Sequence, residues 1–341
     1  MTPLETQLSG APSGGPAGAS GGPDVVERKA LSSLLVGHQE LVRVAALVIL
    51  IAIGTILRSS FISEHSLMSV LLPAAPLACL ATAEAFVMIR GKLVDLSVGS
   101  TASACALVAV SLSSHGALIA IVVPLALGAV IGAINGVGVG VFRGNPIIIT
   151  LGMGSVVGAI ALGRSGGNSE TLHHGLLESF GGGSLAGVPD PVIAVAVILA
   201  ATSLLFTTGR WGRLLRLGGD SEEAFASSGR QPVTGTILAF VLAGVFSALG
   251  GIVLASYVGT LDFSVASNET LPAVAGAVIG GVSLFGGEGS PWQAGFGSVL
   301  LGFLTSVLLV AGLSPYQEEI VEGVLVVAIV YVTERLLVTG R

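Results

Sequence analysis

The chain has 341 residues, of which 52% are hydrophobic, only 10% are charged and 50 are glycine; a soluble domain carries roughly a quarter charged residues. So few charges cannot cover the apolar surface of a soluble globule, and 14 basic against 20 acidic residues, net −6, leave no basic patch for nucleic acid. Cys79 and Cys105 both lie in apolar runs, which sets aside a disulfide framework and a structural zinc site. An all-α integral membrane protein remains.

Residues 1–30 are rich in glycine, proline and serine and have nothing to bury. They read as a disordered cytoplasmic tail ahead of a polytopic membrane domain at 31–341. A helix needs about 20 residues to cross some 30 Å of hydrocarbon, and the apolar runs supply about ten such spans. The first five are 41–57, 67–89, 96–114, 117–141 and 147–163; the others are 191–208, 233–256, 271–285, 290–312 and 318–334. The runs 147–163 and 271–285 are short or interrupted by glycine, which predicts half-helices or re-entrant segments.

With the N-terminus inside, Arg28, Lys29, Arg43, Arg90, Lys92, Arg143, Arg210, Arg213, Arg216, Arg230, Arg335 and Arg341 fall on the cytoplasmic side, and only Arg58 and Arg164 fall outside. That bias supports the orientation and an even number of crossings. The loops 164–190 and 257–270 are then external. Spans two to five and seven to ten begin on opposite faces, which accommodates two inverted four-helix halves joined by span six.

Gly128, Gly132, Gly136 and Gly140 recur every four residues in the fourth span. They form one slowly winding stripe without side chains, a surface for close helix packing or, alternatively, a glycine-lined pore. Gly154 with Gly158, and Gly276 with Gly280, repeat the spacing. Polar residues inside spans are costly and therefore informative. Glu84 either faces a water-filled pathway or is an acid held by hydrogen bonds inside the bundle. Asn135 reads as an interhelical hydrogen-bonding group or a solute contact.

GRSGG at 163–167 fits a nucleophile-elbow pattern but lacks its strand–turn–helix setting. His173 and His174, near Glu170 and Glu178, read as solvated loop residues rather than metal ligands. No GxxxxGK[ST] occurs, so no ATP-binding P-loop is expected in this chain, and no cofactor of its own.

The loop 209–232 is the most informative soluble piece. Arg210, Arg213 and Arg216 lie near the membrane end, and Gly218 and Gly219 are expected to break the chain. Asp220 or Ser221 would then cap a short helix with Glu222 and Glu223 in its first turn, carrying Ala224, Phe225 and Ala226 before Gly229 stops it. Such a helix suits docking of a cytosolic partner; its alternative is a surface helix lying on headgroups.

Several stretches resemble the permease subunits of ribose-type, binding-protein-dependent ABC sugar importers: VDLSVGS at 94–100, INGVGVGVFRGNPIIITLGM at 134–153, GRLLRLGGDSEEAFASSG at 212–229, GGVSLFGGEGSPW at 280–292 and LSPYQEEIVEG at 313–323. The motifs run in order over 70–335. Two stretches differ: Gly91-Lys92-Leu93-Val94 precedes Asp95, and Asp220 stands where the family commonly has Asn.

The resemblance implies a bacterial inner-membrane permease without its own ATPase site, paired with a second copy or a paralogue. Two cytosolic ABC ATPase domains would bind ATP and Mg below it, and a periplasmic or lipid-anchored binding protein would deliver a small-molecule sugar. It also implies ATPase docking through Gly219, Asp220, Glu222, Glu223, Ala224, Ser228 and Gly229. Pathway or gating roles fall to Glu84, Asp95, Ser97, Asn135, Asn145, Pro146, Thr150, Ser283 and Phe285. A nucleoside, a furanone signal or an amino acid are the alternative cargoes. An ion-coupled carrier with Glu84 as its proton site is the alternative of another class, and an intramembrane hydrolase is disfavoured for want of a nucleophile–base pair.

Overall fold

The computed structural model describes residues 39–91, 93–172, 175–220 and 232–339. The tail at 1–30, His173, His174 and the docking residues Glu222, Glu223, Ala224, Ser228 and Gly229 lie outside the described residues.

Each of the ten apolar runs contains a helix, because a backbone in hydrocarbon must satisfy its own hydrogen bonds. The first half of the bundle follows α1 (Gln39–Leu57) and comprises α2 (Glu64–Gly91), α3 (Val98–Ser111), α4 (Ala117–Gly140) and α5 (Pro146–Ser165). The short α6 (Leu176–Gly182), the long α7 (Asp190–Thr208) and α8 (Arg210–Asp220) follow. The second half is α9 (Pro232–Val258), α10 (Ser264–Ser267), α11 (Thr270–Ile279), α12 (Pro291–Val310) and α13 (Pro315–Thr339).

Local sequence starts several of these helices. Asn145 and Ser290 cap α5 and α12, accepting from Ile147 N at 3.0 Å and Gln293 N at 3.3 Å, and proline occupies the first helical turn of each. Seven helices among the described residues are long and apolar enough to cross a membrane.

Three expectations are corrected. The run 147–163 is an unbroken 20-residue helix, α5, rather than a half-helix; lipid-embedded helices tolerate its glycines where close packing uses them. The run 96–114 is not one full span, because α3 has only 14 residues, about 21 Å at 1.5 Å per residue. Gly218 and Gly219 lie inside α8 rather than breaking the chain, and Asp220 is the last residue of that helix; the helix expected after it lies outside the described residues. The expected interruption at 271–285 is present: α11 stops at Ile279 and an irregular turn follows.

The two halves exchange partners. α4 packs on α9 while α12 packs on α2, and α3 packs on α9 while α11 packs on α2. Within the halves, α3 meets α4 and α5, as α11 meets α12 and α13. Swapping the halves maps these contacts onto one another, the pattern that two inverted halves joined by α7 would give. α2 and α9 form the centre, where Phe86 meets Phe246 and Phe206 at ring-centroid distances of 5.3 and 6.0 Å.

The seam between α4 and α9 is built on glycine. A methyl group on Gly128 would overlap the Gly244 carbonyl, and one on Gly244 would overlap the Gly128 carbonyl. One on Gly132 would strike the Phe240 carbonyl, and one on Gly136 would come within 2.7 Å of Ile237 Cα; at Gly140 it would meet Thr236 at 3.4 Å. Gly276 and Gly280 similarly admit α12, at Ser298 and Gln293, while Gly158 faces Phe263.

At one rim the connection after α5 pairs with the connection after α9. β1 (Glu170–Thr171) runs antiparallel to β4 (Thr260–Leu261), and Leu172 N donates to Gly259 O at 2.7 Å. β2 (Ser184–Leu185) and β3 (Val188–Pro189) form a hairpin in the same connection that carries β1. The stretch 164–190, expected as an external loop, thus carries α6 and three short strands.

Candidate functional site

The chain breaks between Gly91 and Val98, and this break organises a buried polar cluster. Asp95 N donates to Glu84 Oε2 at 3.3 Å, which draws the strand after α2 back alongside its own helix. Glu84 lies seven residues before the end of α2, roughly 10 Å along its axis. The return over 93–97 and the short α3 therefore lie together beside α2.

Asp95 Oδ1 accepts from Ser97 N at 2.9 Å and Ser97 Oγ at 2.6 Å, fixing the turn into α3. Asn135 of α4 donates to Ser97 Oγ at 2.8 Å and to Asp95 Oδ1 at 3.5 Å. Thr150 of α5 accepts from Leu96 N at 2.9 Å. None of Glu84, Asp95, Ser97, Asn135 and Thr150 is more than 2% exposed. Five of the nine candidate pathway residues thus meet in one cluster inside the chain. Two apolar cavities, of about 310 Å³ between α3, α4 and α5 and about 110 Å³ between α2, α7 and α12, are lined by other residues.

The second half supplies a counterpart at the same depth. Thr270, at the start of α11, accepts from Gly99 N at 3.1 Å, and Ser103 accepts from Ala266 N at 3.0 Å. The N-terminal ends of the two short helices therefore abut across the bundle. Thr270 and Ser103 escaped the sequence reading, since a lone hydroxyl in an apolar helix carries no spacing signal.

Asn145 and Pro146 stand apart from the cluster and start α5. Ser283 and Phe285 lie in the turn between α11 and α12, where Phe285 N donates to Ser283 Oγ at 3.1 Å. Gly281, Gly286, Gly287 and Gly289 all have positive φ there, from 76° to 127°, so four of the five glycines in GGVSLFGGEGS serve backbone conformation, while Gly280 makes room for the Gln293 carbonyl. Gly287 N donates to Ile89 O at 2.9 Å, binding this turn to the end of α2.

Gly219 packs its backbone against Ile89 and Gly287 in the same place. Arg90 completes the junction. Its Nη1 donates to Gly218 O and its Nη2 to Pro232 O, both at 2.9 Å, so one guanidinium holds the residues on either side of segment 219–231. The sequence alone places Arg90 only at a membrane face; its partners are 128 and 142 residues away. Among the described residues no group of three or more His, Cys, Asp or Glu could hold a metal.

Residues 66–330 match the family described as branched-chain amino acid transport system / permease component. The ribose import permease protein RbsC of Escherichia coli K12 is 31% identical over 298 residues, covering 85% of this chain and 92% of the relative. The Haemophilus influenzae protein of the same name is 28% identical, over 84% and 90%. The autoinducer 2 import system permease protein LsrD of Salmonella paratyphi B is 31% identical, over 72% and 76%. No solved structure matches the chain. Matched over most of its membrane domain, with its polar break and glycine turn inside the matched range, the chain belongs to the branched-chain amino acid transport system / permease component family.

Proposed function

We propose that the chain is the permease subunit of an ATP-driven ABC importer that moves a monosaccharide, a pentose or hexose, handed over by an extracytoplasmic binding protein. The observation that carries this reading is the 31% identity to a ribose import permease across 92% of that protein's length. Arg90 and Gly219 support it further, because they anchor both ends of the segment assigned to ATPase docking (Gly219, Asp220, Glu222, Glu223, Ala224, Ser228, Gly229) to the same helix that carries Glu84.

In this reading the permease performs no bond chemistry and holds no cofactor; two cytosolic ATPase subunits bind ATP and Mg. A second copy or a paralogue completes the translocation path in the bacterial cytoplasmic membrane, with both termini in the cytoplasm. The Glu84–Asp95–Ser97–Asn135–Thr150 cluster is assigned to gating: it fixes the shape of the break, and docking movements reach it through the last two turns of α2. Ser283 and Phe285 belong to the turn that carries the same movement, and Asn145 and Pro146 set the start of α5.

The test is ATP-dependent uptake in proteoliposomes holding the chain, its ATPase and its binding protein, with the solute identified by calorimetry on the binding protein. Uphill accumulation by the chain alone would overturn the proposal. A furanone-type signal is the second reading, favoured by the 31% identity to an autoinducer 2 permease, and the calorimetry separates the two cargoes.

A further inference from the structure

Helix α8 has two unlike faces. Leu214 and Leu215 are buried, and α8 packs on α2, so the helix cannot roll. Arg216 is drawn inward, its guanidinium 4.8 Å from the Phe206 ring centroid and its Nη2 donating to Gly289 O at 3.4 Å. Arg210, Trp211, Arg213 and Leu217 are all exposed; at 100° per residue Arg210, Arg213 and Leu217 fall within an arc of roughly 60°, and Trp211 flanks it about 100° from Arg210 across buried Leu214. No hydrogen bond or ion pair among the described residues engages Arg210 or Arg213.

That mixture suits neither water nor acyl chains. A face turned to the cytosol has no use for a 59% exposed tryptophan beside a 42% exposed leucine, and a face turned to lipid tails cannot hold two free guanidinium groups. The headgroup layer accepts both, since tryptophan settles at the apolar–polar boundary and arginine reaches phosphate. Position agrees: α8 follows α7 after Gly209 alone, and the last turns of α7 expose Leu204 and Leu205. The chain's other tryptophan, Trp292, is exposed in the first turn of α12, beside the same glycine turn that Arg216 reaches.

We infer that α8 is an interfacial helix that binds anionic phospholipid: Arg210 and Arg213 hold the headgroup phosphate while Trp211 and Leu217 insert at the acyl boundary. The four residues of the site are other than those assigned to docking, which begin at Gly219 near the end of the same helix, and the site does not depend on the cargo.

The chain has two tryptophans, so Trp292→Phe leaves Trp211 as the only one. The full chain carrying this change, in lipid nanodiscs, is titrated with brominated phosphatidylglycerol and, separately, with brominated phosphatidylcholine. Each cation near an anionic surface favours binding roughly fivefold, so two predict a preference of order twentyfold for phosphatidylglycerol in Trp211 quenching. Arg210→Gln with Arg213→Gln should abolish the preference while phosphatidylcholine still quenches, and each single change should lower it about fivefold.

Equal quenching by the two lipids in the chain with both arginines would overturn the inference. Absence of quenching by either lipid would also overturn it and would turn this face toward a soluble protein. If the double variant does not fold, the single variants and the phosphatidylglycerol retained on purification, read by native mass spectrometry, decide the matter.

Discussion

The glycine seam between α4 and α9 permits a quantitative test. Gly128 and Gly244 face each other reciprocally, each closing on the other's carbonyl. A methyl group on either forces the helices about 1 Å apart, and a gap of that size forfeits roughly a quarter to a half of each dispersion contact along the seam. Gly128→Ala, Gly244→Ala and Gly132→Ala should therefore each cost about 1–3 kcal/mol. The double variant Gly128→Ala with Gly244→Ala should cost less than the sum by about 1–2 kcal/mol, since the second methyl enters a gap the first has opened. Gly152 and Gly163, with nothing within 4 Å of a built methyl, serve as controls; alanine there should be neutral or stabilising by up to about 1 kcal/mol. Reversible unfolding in mixed micelles by sodium dodecyl sulfate measures all six variants. Strict additivity of the reciprocal pair, or a seam variant no less stable than the controls, would refute the packing argument.

Further outcomes follow from the buried polar groups. Arg90→Gln removes a two-pronged donor from Gly218 and Pro232 and should cost about 2–4 kcal/mol; Arg90→Lys should recover only part, because an ammonium lacks the planar fork. In the reconstituted complex, sugar moved per ATP hydrolysed should fall in both, and an unchanged ratio would remove Arg90 from the coupling route. Asp95→Ala strands the Ser97 amide and hydroxyl and should lower stability by about 1–3 kcal/mol, while Asp95→Asn keeps an acceptor and should lose less; equal melting temperatures for the two would contradict the hydrogen-bond geometry. Glu84→Gln retains an acceptor for Asp95 N, so ATP-driven uptake should stay within about threefold of the parent chain; abolished uptake with intact folding would favour an ion-coupled carrier.

Hydropathy alone located the ten helical runs, because the cost of a bare backbone in lipid leaves no other local solution. It misjudged α3 because the apolar run continues through the turn at Leu96–Ser97 and the 3-10 turn at Ser113–His115, and composition does not distinguish a helix from the turns at its ends. Gly218 and Gly219 read as breakers on intrinsic propensity, yet the close approach of Gly219 to Ile89 and Gly287 overrides that propensity and uses its missing side chain. Asp95 and Ser97 were legible only as a motif; their partners on α2 and α4 come from 11 and 38 residues away. Arg90 stayed hidden for the same reason, since a cation ending an apolar span reads the same whether it meets solvent or two distant carbonyls.

The β1–β4 pairing has a mechanical consequence. It laces a connection of the first half to one of the second at one rim, while Arg90 and the Gly287 amide rivet α2 to α8, α9 and the glycine turn at the other. A barrel hooped at both ends does not fold along its middle; it tips as a unit. If the proposed second permease subunit completes the path, the aperture widens by rocking of one subunit against the other, and a crosslink between β1 and β4 should leave transport running.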